Sequence, residues 1–169
     1  VHAEAFWRVG GLDEDFFAHM EEIDLCWRLK NTGKKIMYCG ESTVYHMGGG
    51  TLSKINPRKT YLNFRNNLFL IFKNYRSGNV WLKIIWRLKL DGLAGIKFLA
   101  EGQFQHFFAV LRAHFSFYRR LPTFVKKRKT LSSTVQNPNL NGLYANSVVW
   151  QYFVRKKRNF SDLDPTDFT

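Results

Sequence analysis

Phe16-Phe17-Ala18-His19-Met20-Glu21-Glu22-Ile23-Asp24-Leu25-Cys26-Trp27-Arg28 sets three carboxylates within four positions beside an aromatic, apolar approach. The pattern predicts a helix over roughly Met20 to Asn31, stopping near Gly33, with Lys30 close to the negative end of its dipole. Carboxylates this close resist ionising together, which can raise the pKa of one of them towards the value a general base needs. Asp24 and Arg28 stand four residues apart and can pair, leaving Glu22 as the freer base. The plainer reading of the same string is an amphipathic helix with Ile23, Leu25, Trp27 and Leu29 half-buried and its acids solvated.

Upstream lie a Val9-Gly10-Gly11 turn and an acidic loop, Asp13-Glu14-Asp15. Downstream, Lys35-Ile36-Met37-Tyr38-Cys39 and Ser42-Thr43-Val44-Tyr45-His46 read as two short β-like runs, separated by Gly40-Glu41 and closed by Gly48-Gly49-Gly50. The expected class for this part is therefore α/β, with chemistry at the strand ends.

The Gly10-Gly11-Leu12-Asp13-Glu14 loop, the Glu21-Glu22-Ile23-Asp24-Leu25-Cys26-Trp27-Arg28 helix and His46-Met47-Gly48-Gly49-Gly50 occur in order at close spacing. Together they resemble the family-2 glycosyltransferases, in particular bacterial, rhamnosyltransferase-like members, over about residues 1–76. The resemblance implies the C-terminal part of a GT-A, Rossmann-like transferase domain (residues 1–56) that inverts the anomeric centre while moving a sugar from a nucleotide-sugar donor to a glycan or lipid-linked acceptor. It places the catalytic base on Glu22, with Glu21 the alternative because the family's usual second acid is Asp. It makes Asp24 and Arg28 supports, puts Asp13, Glu14 and Trp27 at the acceptor, and gives His46, 24 positions after Glu22, a share in a divalent metal (Mg2+ or Mn2+). Tyr61-Leu62-Asn63-Phe64-Arg65-Asn66-Asn67 resembles the Y-x-x-R-N segment of many members, which would set Arg65 on the diphosphate. The metal-binding D-x-D and the nucleotide pocket would precede Val1; Asp13-Glu14-Asp15 is wrongly placed to serve.

The chemistry is coherent: an acceptor hydroxyl loses its proton to a carboxylate as it attacks, and cations stabilise the departing diphosphate.

Charge divides the chain. Residues 1–55 hold 8 of the 13 acids and 6 of the 26 bases, so residues 56–169 hold 5 acids against 20 bases. From Pro57 the spacing predicts a helix over Lys59–Tyr75. A second, from Asn79 to about Leu99, has Trp81, Ile85, Leu88, Gly92, Gly95, Ile96 and Leu99 on one stripe. A third carries Phe104, Phe107, Phe108, Leu111, Phe115 and Tyr118 on an apolar face. Residues 57–130 thus read as amphipathic helices lying on a membrane, since Lys73, Lys83, Arg87, Lys89, Lys97 and Glu101 interrupt every candidate span. Residues 131–169 read as a basic tail. Lys126-Lys127-Arg128-Lys129 and Arg155-Lys156-Lys157-Arg158 suit an anionic surface or a solvated face equally. The resulting expectation is a peripheral protein of the cytoplasmic face of a bacterial inner membrane, with a non-catalytic membrane module as the alternative. Helical spacing of the aromatics and the lack of any recognised motif argue against a nucleic-acid partner. Cys26 and Cys39 read as reduced and structural.

Overall fold

The computed structural model describes residues 1–45, 56–135 and 138–168. They contain helices α1 (Ala3–Arg8), α2 (Glu21–Asn31), α3 (Pro57–Asn74), α4 (Val80–Ala100), α5 (Phe104–Thr134) and α6 (Val148–Phe153), with 3-10 turns at Glu14–Phe16, Phe160–Asp162 and Pro165–Asp167. Among the described residues there is no strand and no sheet, only an isolated bridge between Tyr144 and Phe168.

This overturns the expected α/β, Rossmann-like class. The runs predicted as strands at 35–39 and 42–46 are irregular through residue 45, and His46 lies outside the described residues. A strand needs a neighbour for its N–H and C=O groups, and two short strands alone are marginal in water. Among the described residues neither run finds one, and their aromatic side chains stand in solvent, Tyr38 at 93% and Tyr45 at 96% exposure.

The chain divides into two compact units, Val1–Asn137 and Pro138–Thr169. In the first, α3 and α5 pack along their length, α4 lies against both, and α2 docks on α3. Local signals place the helix starts: Asn56 and Asn79 cap α3 and α4 by accepting from Arg58 N and Trp81 N, and Pro57 takes the first turn of α3, where its missing N–H costs nothing. The core is aromatic. Phe69 stacks on Phe124 with ring centroids 3.9 Å apart, and Phe16, from the acidic loop, meets both edge-on at 6.4 and 6.1 Å. Leu68, Leu70, Phe72, Val80, Ile84 and Phe117 complete it.

Helices α4 and α5 differ from their predicted faces. The line that α4 turns inward is Val80, Ile84, Asp91 and Gly95, and that of α5 is Ala109, Val110, Ala113, Phe117 and Phe124. Each helix carries a second apolar stripe on its outside. On α5 this is Phe104, Phe108, Leu111, Phe115 and Tyr118, all 47–71% exposed. Ala109 and Ala113 share the inner line with the buried rings of Phe117 and Phe124, and the remaining aromatics of α5 face out. Asp91 is tolerated inside because Arg87 and His114 reach it at 2.7 and 3.1 Å.

In the second unit, Ser147 caps α6 by accepting from Trp150 N, and Asp162 accepts from the backbone of Arg158 and Asn159.

Candidate functional site

The acidic helix is entered through unusual backbone. Phe17 has φ 64 and ψ −61, and Ala18 N donates to Phe16 O at 2.8 Å, which makes a γ-turn of the strained hand centred on Phe17. His19 and Met20 follow at φ 69 and 75. Three side-chain-bearing residues in the left-handed region within four positions each cost about 1–2 kcal/mol, so surrounding contacts must hold them there. Asn66 supplies those contacts: from its buried position on α3, Nδ2 lies 2.8 Å from the carbonyls of Phe16, Ala18 and His19. Arg65 adds Nη2 bonds to Asp15 O at 3.1 Å and Phe16 O at 3.0 Å.

Directly after this loop come the candidate acids, in the first turn of α2, where the helix dipole favours negative charge. They do not share one environment. Glu22 is exposed, Glu21 is half-buried with Oε2 lacking a hydrogen-bond partner, and Asp24 is fully buried. The predicted crowding of three like charges is thus relieved by turning Asp24 inward.

Asp24 is the hub of a buried ionic network. Arg28 Nε and Nη2 both reach Oδ2 at 2.8 Å. The same guanidinium donates to Gly11 O at 2.7 Å and to Val9 O, tying helix to glycine turn. Gly10 and Gly11 sit at φ 84 and 64, and a Cβ on Gly11 would stand 3.2 Å from the Phe6 ring, so glycine is required there. Lys73, from the end of α3, bridges Asp24 at 2.9 Å and Asp13 at 2.7 Å, and Asn74 Nδ2 donates to Asp24 Oδ1 at 2.8 Å. Lys127 of α5 clamps Asp13 and Asp15 at 2.5 and 2.6 Å, and Arg120 reaches Asp15 at 2.9 Å. Burial alone pushes the Asp13 carboxyl up, but Lys127 and Lys73 outweigh it and hold it at about 2, below its ordinary 3.8.

The structure therefore brings Asp13, Asp24 and Arg28 into one buried assembly beneath Glu21 and Glu22. Asp13, expected at the acceptor, points into that assembly, whereas Glu14 is exposed. Trp27 packs half-buried on the aromatic core. Arg65, expected on a diphosphate, is buried with its guanidinium on loop carbonyls and beside the rings of Tyr61 and Phe69.

No local pattern marks Lys73, Asn74, Arg120 or Lys127 as partners of these carboxylates. Lys127 and Arg128 belong to a run expected at an anionic surface or on a solvated face, yet only Lys126 and Lys129 of that run are exposed; Arg128 Nη1 donates to Phe72 O at 2.6 Å and Tyr75 O at 2.7 Å. The one local hint was Asn66, inside the Y-x-x-R-N segment. Among the described residues no three His, Cys, Asp or Glu side chains come together as metal ligands. The clustered aspartates do not fit a divalent cation, because their oxygens face ammonium and guanidinium groups.

No protein-family model matches the chain, and neither a curated protein nor a solved structure matches it.

Proposed function

We infer that the chain carries the base-bearing part of an inverting glycosyltransferase that moves a sugar from a nucleotide-sugar donor to a hydroxyl of a glycan or lipid-linked acceptor at an anionic membrane surface. The observation that carries this reading is the strained loop 17–20, pinned by Asn66 and Arg65, which delivers exposed Glu22 from a rigid helix start. Local strain held by its surroundings is a feature of sites where position matters more than stability. Glu22 takes the acceptor hydroxyl proton as the oxygen attacks the anomeric carbon and the nucleoside diphosphate leaves from the opposite face. Glu21, with an unpartnered carboxylate oxygen beside it, is the alternative base. Asp24, Arg28, Lys73 and Asn74 fix the helix and take no part in proton transfer.

The test is sugar transfer by the whole protein, supplied with a panel of labelled nucleotide sugars and membrane extract. Glu22→Gln lowers the rate about 100-fold or more, the usual contribution of a general base. Wild-type turnover in Glu22→Gln together with a similar collapse in Glu21→Gln moves the role to Glu21. Wild-type turnover in both leaves the membrane-binding module as the reading.

A further inference from the structure

The outward stripes of α4 and α5 answer a question the buried core does not: why a helix with a complete inner face should carry a second apolar one. A helix turns by about 100° per residue. On α4, the residues facing its neighbours are Ile84, Asp91, Gly95 and Phe98: Asp91 meets His114, Gly95 lies against Phe107, and Phe98 packs on His106. Leu82, Trp86, Leu93 and Ile96 fall on the opposite side and are 59–64% exposed. On α5, Phe107 and His114 mark the side towards α4, and the buried line from Ala109 to Phe124 marks the side towards α3. The exposed aromatic stripe falls on the remaining flank. Both stripes therefore open away from α3, each as an exposed apolar surface of its own helix.

We propose that these two stripes form a lipid-docking face, which lies in the headgroup–acyl boundary of an anionic leaflet and keeps the acidic loop close to it. Soluble surfaces rarely leave so contiguous a row of large apolar groups in water. Charge selects the occupant: α5 contains no acidic residue, and Arg112 and Arg119 border its stripe, as Lys89 and Lys97 border that of α4. Glu101, at the end of α4, pairs with Lys97 at 3.7 Å, so the acid-free face is that of α5; a second copy would bring two such cationic faces together, whereas an anionic leaflet complements them, with lysine and arginine stems reaching outward to headgroups. No helix among the described residues is long and apolar enough to cross a membrane, which fits a helix lying in the interface plane.

The same helix reaches the candidate site. Phe115 is in the outer stripe, and Lys127, twelve residues later and about 18 Å along the axis, clamps Asp13 and Asp15. With α5 lying in the interface plane, those roughly 18 Å run along the leaflet, so α5 keeps the loop beside its docked stripe, which favours an acceptor whose reactive hydroxyl is presented close to the leaflet. The proposal rests on the anionic-membrane partner inferred above and is independent of which residue is the base.

The test is co-sedimentation of the whole protein with vesicles of phosphatidylcholine containing 30% phosphatidylglycerol (a test composition, roughly that of an anionic leaflet). Wild type sediments, and Phe108→Ser/Phe115→Ser lowers the partition coefficient at least about tenfold. Trp7→Ser, equally exposed but outside the face, leaves it unchanged. Both altered phenylalanines are solvent-exposed, and an unchanged thermal midpoint confirms that the variant folds. No sedimentation of wild type, equal binding by the double variant, equal loss in Trp7→Ser, or a wild-type dimer by light scattering that the double variant abolishes each overturns the proposal. Glu22→Gln binds vesicles as wild type does, so failure here and failure of the base assignment are read separately.

Discussion

Lys73 Nζ stands between two carboxylates that are eleven residues apart in sequence, 2.9 Å from Asp24 and 2.7 Å from Asp13, with only 6% of its side chain exposed. One ammonium at the end of α3 thereby fastens both the acidic loop and the acidic helix. Lys73→Met keeps the side-chain length but removes the ammonium the two carboxylates share, leaving Asp24 to Arg28 and Asp13 to Lys127. Removing one partner of a buried pair costs about 3–5 kcal/mol. The expected result is a large fall in the urea midpoint; a shift equivalent to less than about 1 kcal/mol would show the network to be dispensable.

Asp13 makes stability depend on acidity. Its folded pKa of about 2 lies below the ordinary 3.8, so the folded state favours the ionised form. That contribution is complete above the unfolded pKa and is lost as pH falls from about 4 to about 2. Thermal midpoints measured between pH 2 and pH 5 should fall more steeply for wild type than for Asp13→Asn. Parallel curves for the two proteins would remove Asp13 as the source.

Asn66→Ala takes the donor away from three loop carbonyls at once. With the strained turn no longer held, the cost is about 1–3 kcal/mol, the usual penalty for stranding buried polar groups. Its signature is local: amides of residues 18–20 exchange faster with deuterium, while those of α5 keep their protection relative to the lowered global stability. Uniform acceleration would mean that Asn66 supports the whole bundle instead of the loop.

Phe17→Gly works in the opposite direction. Glycine adopts φ 64 without the Cβ penalty, and the change removes the largely exposed Phe17 ring with its contact to the Arg58 guanidinium, 5.2 Å away. A rise in the urea midpoint worth up to about 1 kcal/mol is expected. If stability falls, the ring and not the backbone dominates at this position.

The helices were legible because their signals are local. Periodicity gave α2 and α3 to within about two residues, and the Asp24–Arg28 spacing announced a pair that the structure forms. The inner faces of α4 and α5 were not legible, since each helix carries two apolar stripes and periodicity alone does not say which one meets a partner. The strands at 35–39 and 42–46 failed for a related reason: alternation describes a strand's surface but supplies no neighbour. Lys73 with Asp13 and Lys127 with Asp13 join residues 60 and 114 positions apart, a relation no local pattern encodes. His46 lies outside the described residues, so its expected place near a metal stays an expectation.

The ionic network also changes the field that the acidic segment projects. Asp13, Asp15 and Asp24 meet four basic groups, those of Arg28, Lys73, Arg120 and Lys127, and so are more than neutralised by their neighbours. What remains to act at a distance is the short set Glu14, Glu21 and Glu22, on a chain whose formal net charge is +13. An approaching anion therefore meets attraction from the net positive charge of the chain, screened over about 8 Å like every exposed charge, and meets the glutamates' repulsion only when it comes close to them. A segment that looks acidic in sequence thus behaves, at range, as part of a cationic protein.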